Sequence, residues 1–159
     1  MTSKNYVIFD CDGGSDDAWA LLLLLKAEAE NHLSILGITI CGSGNTTLHN
    51  AAYNVLRILK ACGRDEVLFI LISFFFNTFS VLLQIPIFLG AGESLLPSHD
   101  MDKKPLFHGK DGFGDVLPQD EDLDVQEMVE GEHAVAAINQ FCIEVRAYRR
   151  IILLSFKYK

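Results

Sequence analysis

The chain has 159 residues, 50% of them hydrophobic and 21% charged, a length and balance that suit one globular domain with its own core and exclude a disordered chain. Its formal net charge of -8 and isoelectric point near 5.0 exclude a partner held chiefly through phosphate charge, so nucleic acid is not an expected ligand. Cys11, Cys41, Cys62 and Cys142 are dispersed, with no Cys-x-x-Cys pair and no zinc-finger spacing, which reads as reduced thiols in a cytoplasmic protein.

Residues 1–9 hold only one short apolar run, Tyr6-Val7-Ile8-Phe9, too short for the core of a secretory signal. The run continues to Asp10, passes Gly13-Gly14 and enters an Ala/Leu-rich stretch over 18–29, which predicts strand, loop and helix. Residues 33–40, with β-branched Ile35, Ile38, Thr39 and Ile40, predict a second buried strand running into Gly42-Ser43-Gly44. A second helix is expected over 48–61, with Gly63 just past its end. Strands and helices alternating at this spacing predict an α/β fold, an open, mainly parallel sheet flanked by helices, whose ligands sit at the carboxyl ends of the strands. Asp10, Asp12 and Asn45 fall at those ends.

Residues 67–92 carry no charged side chain and by length could span a bilayer. Asn77, Gln84 and Pro86 interrupt the run, and no cluster of Lys or Arg marks one flank, so a membrane anchor over 67–89 stands beside a pair of buried strands as a reading. From 98 to 132 the chain is polar and Gly-rich, with an acidic run over 120–132, the composition of a surface loop. A helical pattern resumes over 132–141, and residues 145–159 form a basic, apolar tail unlike what precedes it.

The chemistry-bearing cluster is Asp10, Asp12, Asp16 and Asp17, four carboxylates directly after a strand and around two glycines. Like charges this close raise one another's pKa and oppose folding unless a cation joins them. A hard divalent ion, calcium or magnesium, suits an all-oxygen donor set. The blander alternative is that Asp16 and Asp17 only complement the positive end of the following helix. The loop lacks the sixth-position Gly and twelfth-position Glu of an EF-hand. A strand followed by Asp-x-Asp also resembles haloacid-dehalogenase-type phosphatases, but Gly14 stands where they carry Thr or Val.

The stretch Asp10-Cys11-Asp12-Gly13-Gly14-Ser15-Asp16-Asp17-Ala18 resembles the Asp-x-Asp-Pro-Gly-x-Asp-Asp-Ala signature of the inosine-uridine-preferring nucleoside hydrolases. Three further pieces follow in order: Gly44-Asn45 with Asn54, Ile87-Phe88-Leu89-Gly90-Ala91, and His108-Gly109-x-Asp111-Gly112-x-Gly114. Gly13 departs from the family's usual Pro. The resemblance implies calcium-dependent hydrolysis of the N-glycosidic bond of ribonucleosides to ribose and free base. It makes Asp12 a metal ligand and general base, Asp17 a calcium ligand, Asp16 a partner of a ribose hydroxyl and Asn45 a hydrogen-bond partner of the sugar. His108 would lie on a loop near the nucleoside, unless it is merely solvated, and Asp10 would serve the architecture more than the chemistry. The assignment is chemically coherent, since carboxylates stabilise an oxocarbenium-like ribosyl transition state while one activates water.

The resemblance also implies that residues 1–144 form the N-terminal part of a longer domain, since family members are about twice this length and draw further ligands from their second half. It implies impaired activity for this chain, or an inactive fragment or pseudoenzyme, and a family habit of forming homo-oligomers. Joining Glu66 to Ile85 restores a family-like helix, short loop and strand, so 67–84 is read as an insertion. Val67 and Gln84 can be encoded by GT- and CAG-containing intron ends, and Val145-Arg146 by GTAAGA, so both the insertion and the aberrant tail 145–159 are read as translated intron.

Overall fold

The chain's alternation of apolar runs and glycine-bounded loops sets most of the strands and helices seen among the described residues. The computed structural model describes residues 5–42, 46–64, 85–93, 107–116, 123–144 and 151–155. In chain order the elements are β1 (Asn5–Cys11), α1 (Ser15–Ala29), β2 (Leu33–Ile40), α2 (Leu48–Ala61), β3 (Ile87–Leu89), a one-turn helix α3 (Val125–Met128), α4 (Ala134–Glu144) and β4 (Ile151–Ser155). The sheet order is β3-β2-β1-β4, and every neighbouring pair runs parallel. The fold is thus the α/β, parallel-sheet architecture expected from the sequence. The chain steps outward from β1 to β3 and then returns to the far side of β1. In open parallel sheets, ligands bind at the carboxyl ends of the strands beside such a reversal, here between β1 and β4.

Each helix forms for local reasons and is held by one buried face. Gly14 caps α1, and Asp16 and Asp17 lie in its first turn, where negative charge meets the positive end of the helix dipole. Leu21, Leu24 and Leu25 of α1 are buried, the spacing of one helical face. Trp19 and Leu23 on other faces stay exposed. Thr47 caps α2 by accepting a hydrogen bond from the Asn50 amide at 3.2 Å, and Gly63 beyond its end takes φ +65°, the left-handed stop that glycine adopts without steric penalty.

Adjacent residues of a strand point to opposite faces, and this assigns the layers. Val7, Phe9 and Cys11 of β1, Ile38 and Ile40 of β2 and Ile87 of β3 share one core with the buried faces of α1 and α2. Phe88 belongs to a second cluster with Ala134, Ala137 and Phe141 of α4, its ring meeting Phe141 edge-on at 5.7 Å. The helices therefore cover both faces of the sheet.

Two stretches differ from their plain compositional reading. Within the polar loop expected over 98–132, Val125–Met128 folds as α3 because the Asp124 carboxylate accepts from the Gln126 and Glu127 amides at 2.8 and 3.4 Å and Leu123 and Val125 are buried. Within the tail expected over 145–159, Ile151–Ser155 forms β4, pairing residue for residue with 6–10 of β1. The proposed insertion 67–84 lies outside the described residues. Among the described residues no helix is long and apolar enough to cross a membrane.

A carboxylate loop at the carboxyl end of the first strand

Asp10 closes β1 on the face away from α1. One of its oxygens accepts from the Thr39 hydroxyl of β2 at 2.9 Å, and the other accepts from the Ser155 hydroxyl of β4 at 2.9 Å. Both oxygens are therefore engaged in tying three strands together, the architectural part the family resemblance implies for it.

The next residues turn sharply into α1. Gly13 has φ +78°, and a Cβ there would lie 2.4 Å from the Ala51 Cα of α2, so only glycine fits this turn. Proline, usual in the resembling signature, is locked near φ -65° and cannot adopt this backbone. The turn aims three backbone amides at one side chain: Asp17 Oδ2 accepts from the N–H groups of Asp12, Gly13 and Gly14 at 3.0, 3.0 and 3.3 Å.

Asp17 is 3% exposed and Asp12 is 7% exposed. Burial, then the interaction with the Asp12 carboxyl, push Asp17 up to about 7, against the lowering effect of the Asp12 amide. Three amide donors would ordinarily favour the charged form, so desolvation and crowded like charge outweigh them. Oδ1 of Asp17 and Oδ1 of Asp16 are buried and accept no hydrogen bond. Two bare carboxylate oxygens cost several kcal/mol as they stand, by order of magnitude. A hard divalent cation fits this donor set in charge and in ligand chemistry. Among the described residues, no three His, Cys, Asp or Glu side chains meet as a metal-holding group.

A second loop covers the first. His108 is 8% exposed, so it is packed rather than solvated. Its Nδ1 lies 2.6 Å from Ser15 Oγ and its Nε2 lies 3.5 Å from Asp16 Oδ1. The loop over 107–116 is closed on itself: Asp111 Oδ1 accepts from the Phe113 and Asp115 amides, and Asp115 Oδ1 from the Lys110 and Asp111 amides. It is fastened to α2 by Asn54, whose amide donates to the carbonyls of Gly13 at 3.0 Å and Asp111 at 2.7 Å. Thr46 and Asn50 donate to the Lys110 carbonyl in the same way.

The structure thus brings Asp12, Asp16, Asp17 and His108 together, while Asn45 lies outside the described residues. Ser15 and the fastening by Asn54 were not assigned a role from sequence. Asn54 stood in a motif without a partner, and Ser15 occupies the unspecified position of the acidic signature.

Comparison with known proteins agrees with this geometry. The family model described as inosine-uridine preferring nucleoside hydrolase matches residues 7–156. A pyrimidine-specific ribonucleoside hydrolase RihA of Citrobacter koseri is 43% identical over 61 residues, 38% of this chain and 18% of that protein. The corresponding protein of Shewanella woodyi is 38% identical over the same shares. A probable uridine nucleosidase 1 of Oryza sativa subsp. japonica is 29% identical over 143 residues, 89% of this chain and 37% of that protein. The chain therefore spans well under half the length of these curated relatives. With the match running from β1 through β4 and the acidic loop at its head, this chain belongs to the inosine-uridine preferring nucleoside hydrolase family.

Proposed function

We propose that this chain carries one half of a ribonucleoside N-ribosyl hydrolase site, cleaving the bond between ribose and base with water. The observation that supports it most is the pair of buried, unbonded oxygens on Asp16 and Asp17, set beside buried Asp12 at the carboxyl end of β1. Such a loop is arranged for a cation and for sugar hydroxyls rather than for its own stability. Asp12 and Asp17 would hold the metal, with calcium the ion we favour for an all-oxygen donor set. When bound, the cation would orient the ribose diol and make water a better nucleophile.

The residues' own parts follow from their chemistry. Asp12 accepts the proton of the attacking water, a task for a carboxylate within hydrogen-bond reach. Asp16 accepts a ribose hydroxyl, and Asn45 donates to the sugar. The carboxylates together stabilise the positive charge that develops on the ribosyl ring as the base departs. His108 closes the site from above. The names of the relatives make uridine the first substrate to try, with inosine and cytidine beside it.

Release of free base with added calcium, compared between the chain and its Asp12→Ala and Asp17→Ala variants, tests the proposal. Expected is release by the parent chain and a loss of at least about a hundredfold in Asp12→Ala; equal release by parent and variants would overturn it. A second reading, a non-catalytic fragment that binds the cation alone, is favoured by the incomplete donor set among the described residues. Calorimetric calcium binding without base release would establish that one. The four free thiols suit the cytoplasmic location we assign, and the acidic charge suits a small nucleoside rather than a nucleic acid as partner. Self-association, common in the family, belongs to the same proposal and is read by light scattering.

A further inference from the structure

We propose that Ser15 is a positioning residue: it holds the imidazole of His108 as the Nε2–H tautomer, so that the ring's donor faces the bare oxygen of Asp16. Resting on the proposed nucleosidase reading, this assigns Ser15 the task of orienting the carboxylate that receives the ribose.

A neutral imidazole has one donor and one acceptor nitrogen. Ser15 Oγ lies 2.6 Å from Nδ1, a short bond for either direction of donation. On the other side of the ring, Nε2 lies 3.5 Å from Asp16 Oδ1, a buried oxygen that accepts no hydrogen bond. With the proton on Nδ1, the Nε2 lone pair would face a carboxylate oxygen, which is repulsive. With the proton on Nε2, the Ser15 hydroxyl donates to Nδ1, and a positive N–H end replaces that lone pair 3.5 Å from Asp16 Oδ1. A hydroxyl can rotate into either role and a carboxylate cannot, so Asp16 biases the ring toward Nε2–H, and the short Ser15 bond at Nδ1, stronger than the 3.5 Å contact, is what keeps it there.

The surroundings hold both partners in place. Ser15 is the first residue of α1, directly after Gly14 at the helix cap. The Gly114 amide donates to the His108 carbonyl at 2.7 Å, and the Phe107 ring meets the imidazole edge-on at 4.9 Å. Because the family signature leaves Ser15's position open, this is a device of the present chain rather than of the motif.

The nitrogen shifts of His108 in the full chain labelled with 15N-histidine report the tautomer directly. They are read at about pH 8.5, above the ordinary imidazole range, and assigned by the signal lost in His108→Gln. Expected are an unprotonated Nδ1 and a protonated Nε2 in the parent chain, the same pattern in Ser15→Thr, and averaging between tautomers in Ser15→Ala. A proton on Nδ1, protons on both nitrogens, or an unchanged pattern in Ser15→Ala would overturn the assignment. Should Ser15→Ala fail to fold, the parent and Ser15→Thr spectra decide. In an active chain, Ser15→Ala should raise KM for uridine roughly three- to tenfold, the effect of one hydrogen bond, with a smaller change in kcat; an unmoved KM overturns the positioning role. The nitrogen pattern needs no substrate, so a chain that shows it and releases no base refutes the nucleosidase reading and leaves the tautomer assignment standing.

Discussion

At Asp17, opposite influences meet on one carboxylate. Its folded-state pKa of about 7 lies above the ordinary 3.8, so the folded chain keeps this proton to a higher pH than the unfolded chain does. The stability linked to it is fully present below about 4 and is lost as pH rises through about 7. The melting temperature in the presence of a chelator should therefore fall between pH 5 and pH 8, and Asp17→Asn should flatten that dependence. A Tm equally pH-dependent in parent and variant would show that another group is responsible. Gly13 carries the other sharp expectation of this scale. Its positive φ and the 2.4 Å approach of a Cβ to Ala51 give Gly13→Ala a destabilisation of roughly 2–5 kcal/mol, read from urea unfolding. The crowding of Asp10, Asp12, Asp16 and Asp17 was legible in the sequence because all four lie in one short segment. Which oxygens end up bare was not, since that depends on donors supplied by the turn at Gly13 and by His108, 93 residues from Ser15.

At the scale of elements, α2 acts as the post to which two loops are fastened. The Asn54 amide satisfies carbonyls of Gly13 and Asp111 at once, and the residue is 1% exposed. Asn54→Ala leaves both carbonyls without this donor and should cost roughly 2–4 kcal/mol. Asn54→Asp, of equal size but without the two donors, should cost no less; a variant with an unchanged urea midpoint would show that the fastening is dispensable. β1, β2 and α1 were legible as apolar runs of fitting length and α2 as a helical pattern, each bounded by a glycine or cap. α3 and β4 were not. The one-turn α3 sits in an acidic run and depends on the Asp124 cap and on Leu123 and Val125 finding the core. β4 is apolar but follows basic residues, and only its pairing with β1 reveals its use.

For the molecule as a whole, the connection between α2 and β3 decides how far sequence and fold agree. Connections of this kind usually run to about 2–6 residues, and we propose that 67–84 is an insertion, of translated intron origin, within an otherwise ordinary step. A variant joining Glu66 directly to Ile85 should then give more soluble protein and a higher Tm; a lower yield with a lower Tm would sink the proposal, as would transcripts carrying 67–84 as spliced exon. The strand order has a consequence for synthesis. The inner strand β1 leaves the ribosome first, yet its neighbour β4 lies 145 residues away at the Asp10–Ser155 contact. β1, α1, β2 and α2, which follow one another directly in the chain, can pack early, whereas closure of the outer side waits for nearly all of the intervening chain, and long-range pairings of this kind form slowly. During that interval Asp10 has one tether instead of two, and the bare edge of β1 is open to capture by any other extended strand nearby. A nascent chain paused before β4 emerges is therefore the species most in need of a chaperone.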